Sequence, residues 1–215
     1  IFFLIITIFF FIYGFSNKEK FNQADKELYE FNIRVVGSNI GIDRFYSNVN
    51  SVLVIKELIK ISNPNKKQKT IFIWPEGILP EISQKELKEY SWIFENEFSE
   101  NHLLILGINS QSIKDGTKKY FNSLSIYDNE LNLLNSYEKI NLVPFGEFLP
   151  FENVLKNIGL SSLTNNYQSF SKGKKRNIIE LKNKNFSLKI LPLICYEIIY
   201  SGELFNDLNF DLIIN

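Results

Sequence analysis

The stretch NFSLKILPLICYEI (185–198) decides the fold, because an apolar strand runs there into the start of a helix and a thiol, Cys195, stands at the junction. Upstream, NIIELK (177–182) pairs with FSLKILPLICY around Asn183-Lys184-Asn185, which is hairpin chemistry. Downstream, EIIYSGELFNDL (197–208) reads as a helix and FDLIIN (210–215) as the start of another strand. The same strand-then-reactive-residue pattern recurs earlier. TIFIW (70–74) is a buried strand that Pro75 stops, and Glu76-Gly77 follow. LNLLNSYEK (131–139) is a strand ending on Lys139, ahead of LVPFGE (142–147).

The segments between fill in an alternating order. IRVVGSN (33–39) reads as a strand, residues 44–62 as a helix from their apolar spacing, and NPNKKQK (63–69) as a loop. Ser83 to Phe98 is a predicted helix with Ser83 as N-cap and Glu86 completing a capping box. Strands follow at 102–109 and 119–128, with a turn at Asp128-Asn129-Glu130 before the 131–139 strand. A loop covers 143–151, a short helix 152–158, and a polar stretch 159–176 that ends in Lys172, Lys174, Lys175 and Arg176. The order is α/β with several consecutive strands, so helices are expected to cover extended sheets.

Residues 1–15, IFFLIITIFFFIYGF, carry no charge. Fifteen helical residues span about 22 Å, short of the ~30 Å hydrocarbon core of a bilayer. The segment has neither the basic start nor the small-residue cleavage site of a signal peptide. It therefore reads as a transmembrane helix lacking its first turns, followed by a juxtamembrane linker (16–32) and a catalytic domain (33–215). The chain contains no Met and stops inside an apolar run, so both ends are read as cut. Lys18, Lys20 and Lys26 weakly favour a cytoplasmic domain by the positive-inside count.

Composition excludes several classes. At 45% hydrophobic and 22% charged, the 215-residue chain is globular. A net charge of zero argues against nucleic acid as partner. One Cys excludes an internal disulfide, and no phosphate loop, Gly-x-Ser-x-Gly elbow or zinc-ligand spacing is present. His102, the only His, reads as structural.

The three strand-end residues have bland readings when taken singly: Cys195 as a small buried hydrophobe, Glu76 as a helix cap, Lys139 as a solvated charge. Taken together they suit nucleophilic catalysis. An ordinary thiol, with pKa near ~8.5, is only a few per cent thiolate at neutral pH. A helix N-terminus supplies ~0.3–1 kcal/mol, less than the ~1.36 kcal/mol of one pKa unit. A nucleophile there needs a base or a cation. Glu76 is the candidate base, with Glu147 and Glu197 as acidic neighbours, and Lys139 is the candidate stabiliser of a developing oxyanion.

The segments WPEG, YFNS, YEKINLVPFGEFLPF and ICYE resemble the nitrilase (carbon–nitrogen hydrolase) superfamily, and within it most closely the apolipoprotein N-acyltransferase family. The resemblance runs from about residue 33 to Asn215. It implies a nitrilase-like α-β-β-α sandwich, here truncated, and a Glu76-Lys139-Cys195 triad needing no cofactor or metal. It further implies supporting roles for Glu147, Tyr196 and Glu197. The implied reaction moves a fatty acyl chain from a phospholipid donor, as a Cys195 thioester, to the α-amino group of a diacylglyceryl-modified apolipoprotein. The implied location is a bacterial inner membrane, multi-pass, with the domain facing the periplasm, against the charge count. Asn141 stands where that family often has His. Phe145 and Phe148 are candidate substrate-binding residues, together with Phe151 as a lipid-facing surface or simple loop packing. The Lys172–Arg176 cluster reads as a solvated loop, with anionic head groups as the other reading. Two further readings stay open: an amidase sharing the triad, and a non-catalytic membrane protein keeping the fold.

Overall fold

The computed structural model describes residues 2–23, 29–38, 50–114, 116–151, 169–200 and 209–215. The chain divides into two compact units, Ile1–Glu30 and Phe31–Asn215.

The first unit is helix α1 (Phe2–Gln23). Its window Phe2–Lys20 is long and apolar enough to cross a membrane. The helix runs on through Ser16-Asn17-Lys18-Glu19-Lys20, which were expected to be linker. Charge ends the apolar stretch, but Lys and Glu are good helix formers and nothing there breaks the backbone pattern.

In the second unit, strands β1 (Asn32–Val35), β2 (Thr70–Trp74), β3 (His102–Lys114), β4 (Thr117–Tyr127) and β5 (Leu133–Glu138) form one sheet in that order. Strands β1, β2 and β3 run parallel, β4 is antiparallel to β3, and β5 is antiparallel to β4. A second sheet holds β6 (Ile179–Lys182), β7 (Ser187–Pro192) and β8 (Leu212–Ile214), with β7 and β8 parallel. Side chains alternate across a strand, and β2 shows the consequence. Phe72 and Trp74 enter a core shared with helix α2 (Ser51–Ser62), while Ile71 joins a core shared with Leu188 and Ile190 of β7. The described layers are thus helix, sheet, sheet. Residues 201–208 of the expected 197–208 helix and the expected helix at 152–158 lie outside the described residues, as do 44–49 of the expected first helix.

Local chemistry sets the ends of these elements. Helix α2 starts at Ser51, where the Asn50 side chain accepts from the Val52 N–H at 2.9 Å, and it stops at Asn63 in a left-handed conformation. Arg34 on β1 donates to the Ser62 and Asn63 carbonyls at 2.5 and 3.0 Å, placing a cation on the negative end of α2. Trp74 Nε1 donates to Ser62 Oγ at 2.9 Å and ties β2 to the same helix end. The predicted 83–98 helix is instead a 3-10 turn (Glu86–Tyr90) and a short helix α3 (Ser91–Phe94). Half of the capping box forms: Glu86 accepts from the Ser83 N–H at 2.8 Å, while the Ser83 hydroxyl has no partner. Both expected turns hold. Asp128 Oδ1 accepts from the Glu130 and Asn132 N–H groups, and Asn183 Oδ1 from those of Asn185 and Phe186.

His102 is structural, as expected. It is 1% exposed, its Nδ1 accepts from the Ser99 N–H at 3.2 Å, and Nε2 donates to the Asn65 carbonyl at 3.0 Å. Burial holds its pKa below the ordinary 6.5. The folded state therefore binds this proton less readily than the unfolded chain. Stability is full above pH ~6.5 and falls as pH drops from there through the lower folded value. Denaturant midpoints measured downward from neutral pH should show this decline, and it should flatten in His102→Gln.

Candidate active site

Each of the three candidate residues leaves the end of a strand. Pro75 terminates β2 and Glu76 follows, directly against Gly107 of β3. A Cβ on Gly107 would lie 2.7 Å from Glu76 Cα, so only glycine lets the two backbones approach this closely. Lys139 follows β5, with its N–H donating to the Asn122 carbonyl at 2.9 Å. Cys195 follows β7. The Leu193 N–H still bonds Ile214 O at 2.8 Å, then the backbone turns sharply, with Cys195 at φ 54. That left-handed conformation costs a non-glycine residue free energy, and it leaves the thiol exposed. The helix that follows is, within the described residues, one 3-10 turn (Cys195–Ile199), so it has little dipole to offer the thiol.

Glu76 and Cys195 line one cavity of about 250 Å³. Its other walls are mostly apolar, including Val36, Ile73, Leu106, Leu124 and Ile194. Lys139 is 1% exposed and does not line that cavity. Its Nζ lies 2.9 Å from both carboxylate oxygens of Glu147. A fully buried ammonium needs such a partner. Glu147 is in turn fixed by the Val143 N–H at 2.9 Å.

Asn122, inside the YFNS segment but unassigned by sequence reasoning, joins these groups. Its Nδ2 donates to Glu76 Oε1 at 2.6 Å and to Glu147 Oε1 at 2.8 Å. Two carboxylate acceptors decide the amide orientation, because the oxygen could not face them. Its signal in the sequence was its place in the YFNS segment; in the structure it sits on β4, paired across the sheet with Asn109. Asn122→Asp would set a third carboxylate against the other two. We expect turnover at Cys195 to fall about ten- to a hundredfold, measured as kcat/KM.

Glu197 was expected beside Glu76; the structure places it elsewhere. It is 0% exposed and accepts from Tyr137 Oη at 2.8 and 2.9 Å. It also accepts from the N–H groups of Ile140, Asn141 and Ile194 at 2.9–3.0 Å, and from Arg176 Nη2 at 2.9 Å. Burial, and then the Glu197 charge, push the Tyr137 phenol up, so it stays a donor. Arg176 is therefore not part of a solvated basic loop. Lys172, Lys174 and Lys175 are exposed, while Arg176 turns inward and also donates to Asn141 Oδ1 at 3.2 Å. Gly173 makes that inward turn fit. Its N–H bonds the Lys139 carbonyl at 2.9 Å, and a Cβ there would overlap the Glu138 carbonyl.

The remaining candidates are peripheral. Tyr196 is exposed. Phe145 is 71% exposed at φ 62, Phe151 is exposed at φ 57, and Phe148 is half-buried, bonding the Phe145 N–H through its carbonyl at 2.8 Å. Neither Phe145 nor Phe148 lines the Cys195 cavity. Phe148 lines a separate one of about 420 Å³ with Ile140, Leu142, Lys172 and Tyr200.

The described residues form a two-sheet α/β domain with Glu76, Lys139 and Cys195 at three strand ends. By sequence, the chain is similar to apolipoprotein N-acyltransferases. It is 32% identical over 140 residues to that of Rhizobium leguminosarum bv. trifolii, covering 64% of the chain and 26% of the relative. It is 29% identical over 181 residues to that of Rhodopseudomonas palustris, covering 80% and 33%. The chain thus spans about a quarter to a third of the length of these relatives. No protein-family model matches it. Among solved structures it is similar to a Nesterenkonia AN1 amidase of the nitrilase superfamily, at TM-score 0.47 and 12% identity over 82% of the chain and 60% of the amidase. A carbon–nitrogen hydrolase from Helicobacter pylori gives TM-score 0.44 and 13% identity over 76% and 51%.

Proposed function

We propose that this chain is the catalytic part of a membrane-bound N-acyltransferase. It would move a fatty acyl chain from a phospholipid, through a Cys195 thioester, to the α-amino group of a diacylglyceryl-modified apolipoprotein. The observation that carries this reading is the cavity shared by Glu76 and Cys195, apolar on its other walls and bridged to buried Lys139 through Asn122 and Glu147. The sequence relatives, and an apolar helix ahead of the domain, support a lipid substrate over a soluble amide. In this reading the domain faces the periplasm from a bacterial inner membrane, and the exposed rings of Phe145 and Phe151 meet lipid.

The chemistry divides into two displacements. Glu76 takes the Cys195 thiol proton, and sulfur attacks the donor ester carbonyl. Lys139, held by Glu147 and linked to Glu76 through Asn122, supplies the positive charge that offsets the developing oxyanion. The tetrahedral intermediate expels the lysophospholipid alkoxide, which recovers the proton from Glu76. The acceptor amine then attacks the thioester and gives a proton to Glu76. The amide forms as the carbon–sulfur bond breaks, and the thiolate is reprotonated. Excluding water is what separates transfer from hydrolysis, and apolar walls suit that task.

The test uses the full-length protein in detergent or membranes, with acyl-labelled phospholipid and a diacylglyceryl-cysteinyl peptide. Label should appear as an amide on the peptide. Release of free fatty acid alone, or hydrolysis of short amides with no transfer, would overturn the reading in favour of an amidase.

A further inference from the structure

We propose that Arg176 is a positioning residue for the thiol site, acting through Glu197. The inference rests on the acyl-transfer reading for its substrate, but its geometry stands apart from that reading. Glu197 Oε2 holds the Ile194 N–H, one residue before Cys195, while Oε1 holds the Ile140 and Asn141 N–H groups just past Lys139. One carboxylate therefore ties the segment after Lys139 to the turn that presents the nucleophile. These two arms come from different sheets, since β5 ends at Glu138 and β7 at Pro192.

A carboxylate with no solvent exposure stays ionised only where charge and donors compensate it. Arg176 supplies the charge, at 2.9 Å, in an ion pair whose two side chains are 10% and 0% exposed. It is held in place by Asn141 Oδ1 at 3.2 Å and by the Tyr137 ring, 5.9 Å from the guanidinium carbon. Among the described residues its Nε has no hydrogen-bond partner, and the anchoring runs through Nη2. Lysine is shorter, and its ammonium would fall short of the Nη2 position from which Arg176 engages both Glu197 and Asn141.

Two variants of the full-length protein test this. Arg176→Lys keeps the charge and loses the reach. Arg176→Met/Glu197→Gln removes both charges, which avoids leaving a buried carboxylate without its cation. Single-turnover acylation of Cys195 should slow about threefold in the first and about tenfold in the second, the scale of one charge-assisted hydrogen bond. The half-saturating phospholipid concentration should not change, and both variants should stay folded at the assay temperature by their thermal midpoints. Either variant acylating at the wild-type rate overturns the proposal. So does a loss that appears only as weaker phospholipid binding, or that tracks the fraction of unfolded protein at the assay temperature. Iodoacetamide alkylation of Cys195 separates the two readings. Wild-type protein that alkylates but never acylates sinks the acyl-transfer reading alone, and the same order of alkylation rates across the variants then decides the role of Arg176.

Discussion

Cys195→Ser should lower acyl transfer by roughly a thousandfold or more, and Cys195→Ala should abolish it. The chain has no second thiol to substitute. Serine fits the same backbone position, so the loss would report chemistry and not folding. The left-handed backbone at φ 54 sharpens the expectation. A non-glycine residue held there costs roughly 1 kcal/mol, which glycine would not incur. Cys195→Gly should therefore be at least as stable as the wild type by thermal midpoint while losing all activity. A position where the working residue is the less stable choice is one held for function. A stabilised Cys195→Gly that still transferred acyl groups would remove Cys195 from the mechanism.

Gly107→Ala should produce the second-largest loss. The new Cβ would stand 2.7 Å from Glu76 Cα and 3.1 Å from its Cβ, closer than carbon atoms pack. Backbone cannot yield as a flexible side-chain tip can, so the strain falls on Glu76 or on the β2–β3 pairing beside it. Overpacking of this kind costs about 1–3 kcal/mol. A displacement of about 1 Å at a catalytic group costs on the order of a hundredfold in rate. Gly37→Ala is the control, because a Cβ there meets nothing within 4 Å. kcat should fall about a hundredfold in Gly107→Ala and hold in Gly37→Ala. Equal rates in the two would mean that Glu76 placement does not limit the reaction.

The fold was largely legible because its signals are local. The apolar run TIFIW stopped by Pro75, turn chemistry at Asp128 and Asn183, and the apolar run before Cys195 each specify backbone within a few residues. Boundaries were less legible. β3 and β4 extend to Lys114 and Thr117, since cross-strand pairing carries polar residues that propensity alone leaves out. The 83–98 helix shortened, and its cap formed on one side only.

At the site, the residues that bear reactive groups could be named from strand ends, but their partners could not. Glu197 contacts Tyr137, Ile140 and Arg176, which are distant in the chain, and only the packing of two sheets brings them together. Asn122 was overlooked for the same reason: its role comes from joining Glu76 to Glu147 across β4. Arg176 was hidden by its company, because three exposed lysines precede it and a basic run reads as solvated.

The most direct test of the account is the intact mass of full-length protein quenched shortly after mixing with phospholipid in the absence of an amine acceptor. The account predicts a single fatty-acyl addition that localises to Cys195, is released by hydroxylamine, and is missing in Cys195→Ser. An unmodified Cys195 in protein that still consumes the phospholipid, or an acyl group on another residue, would contradict it.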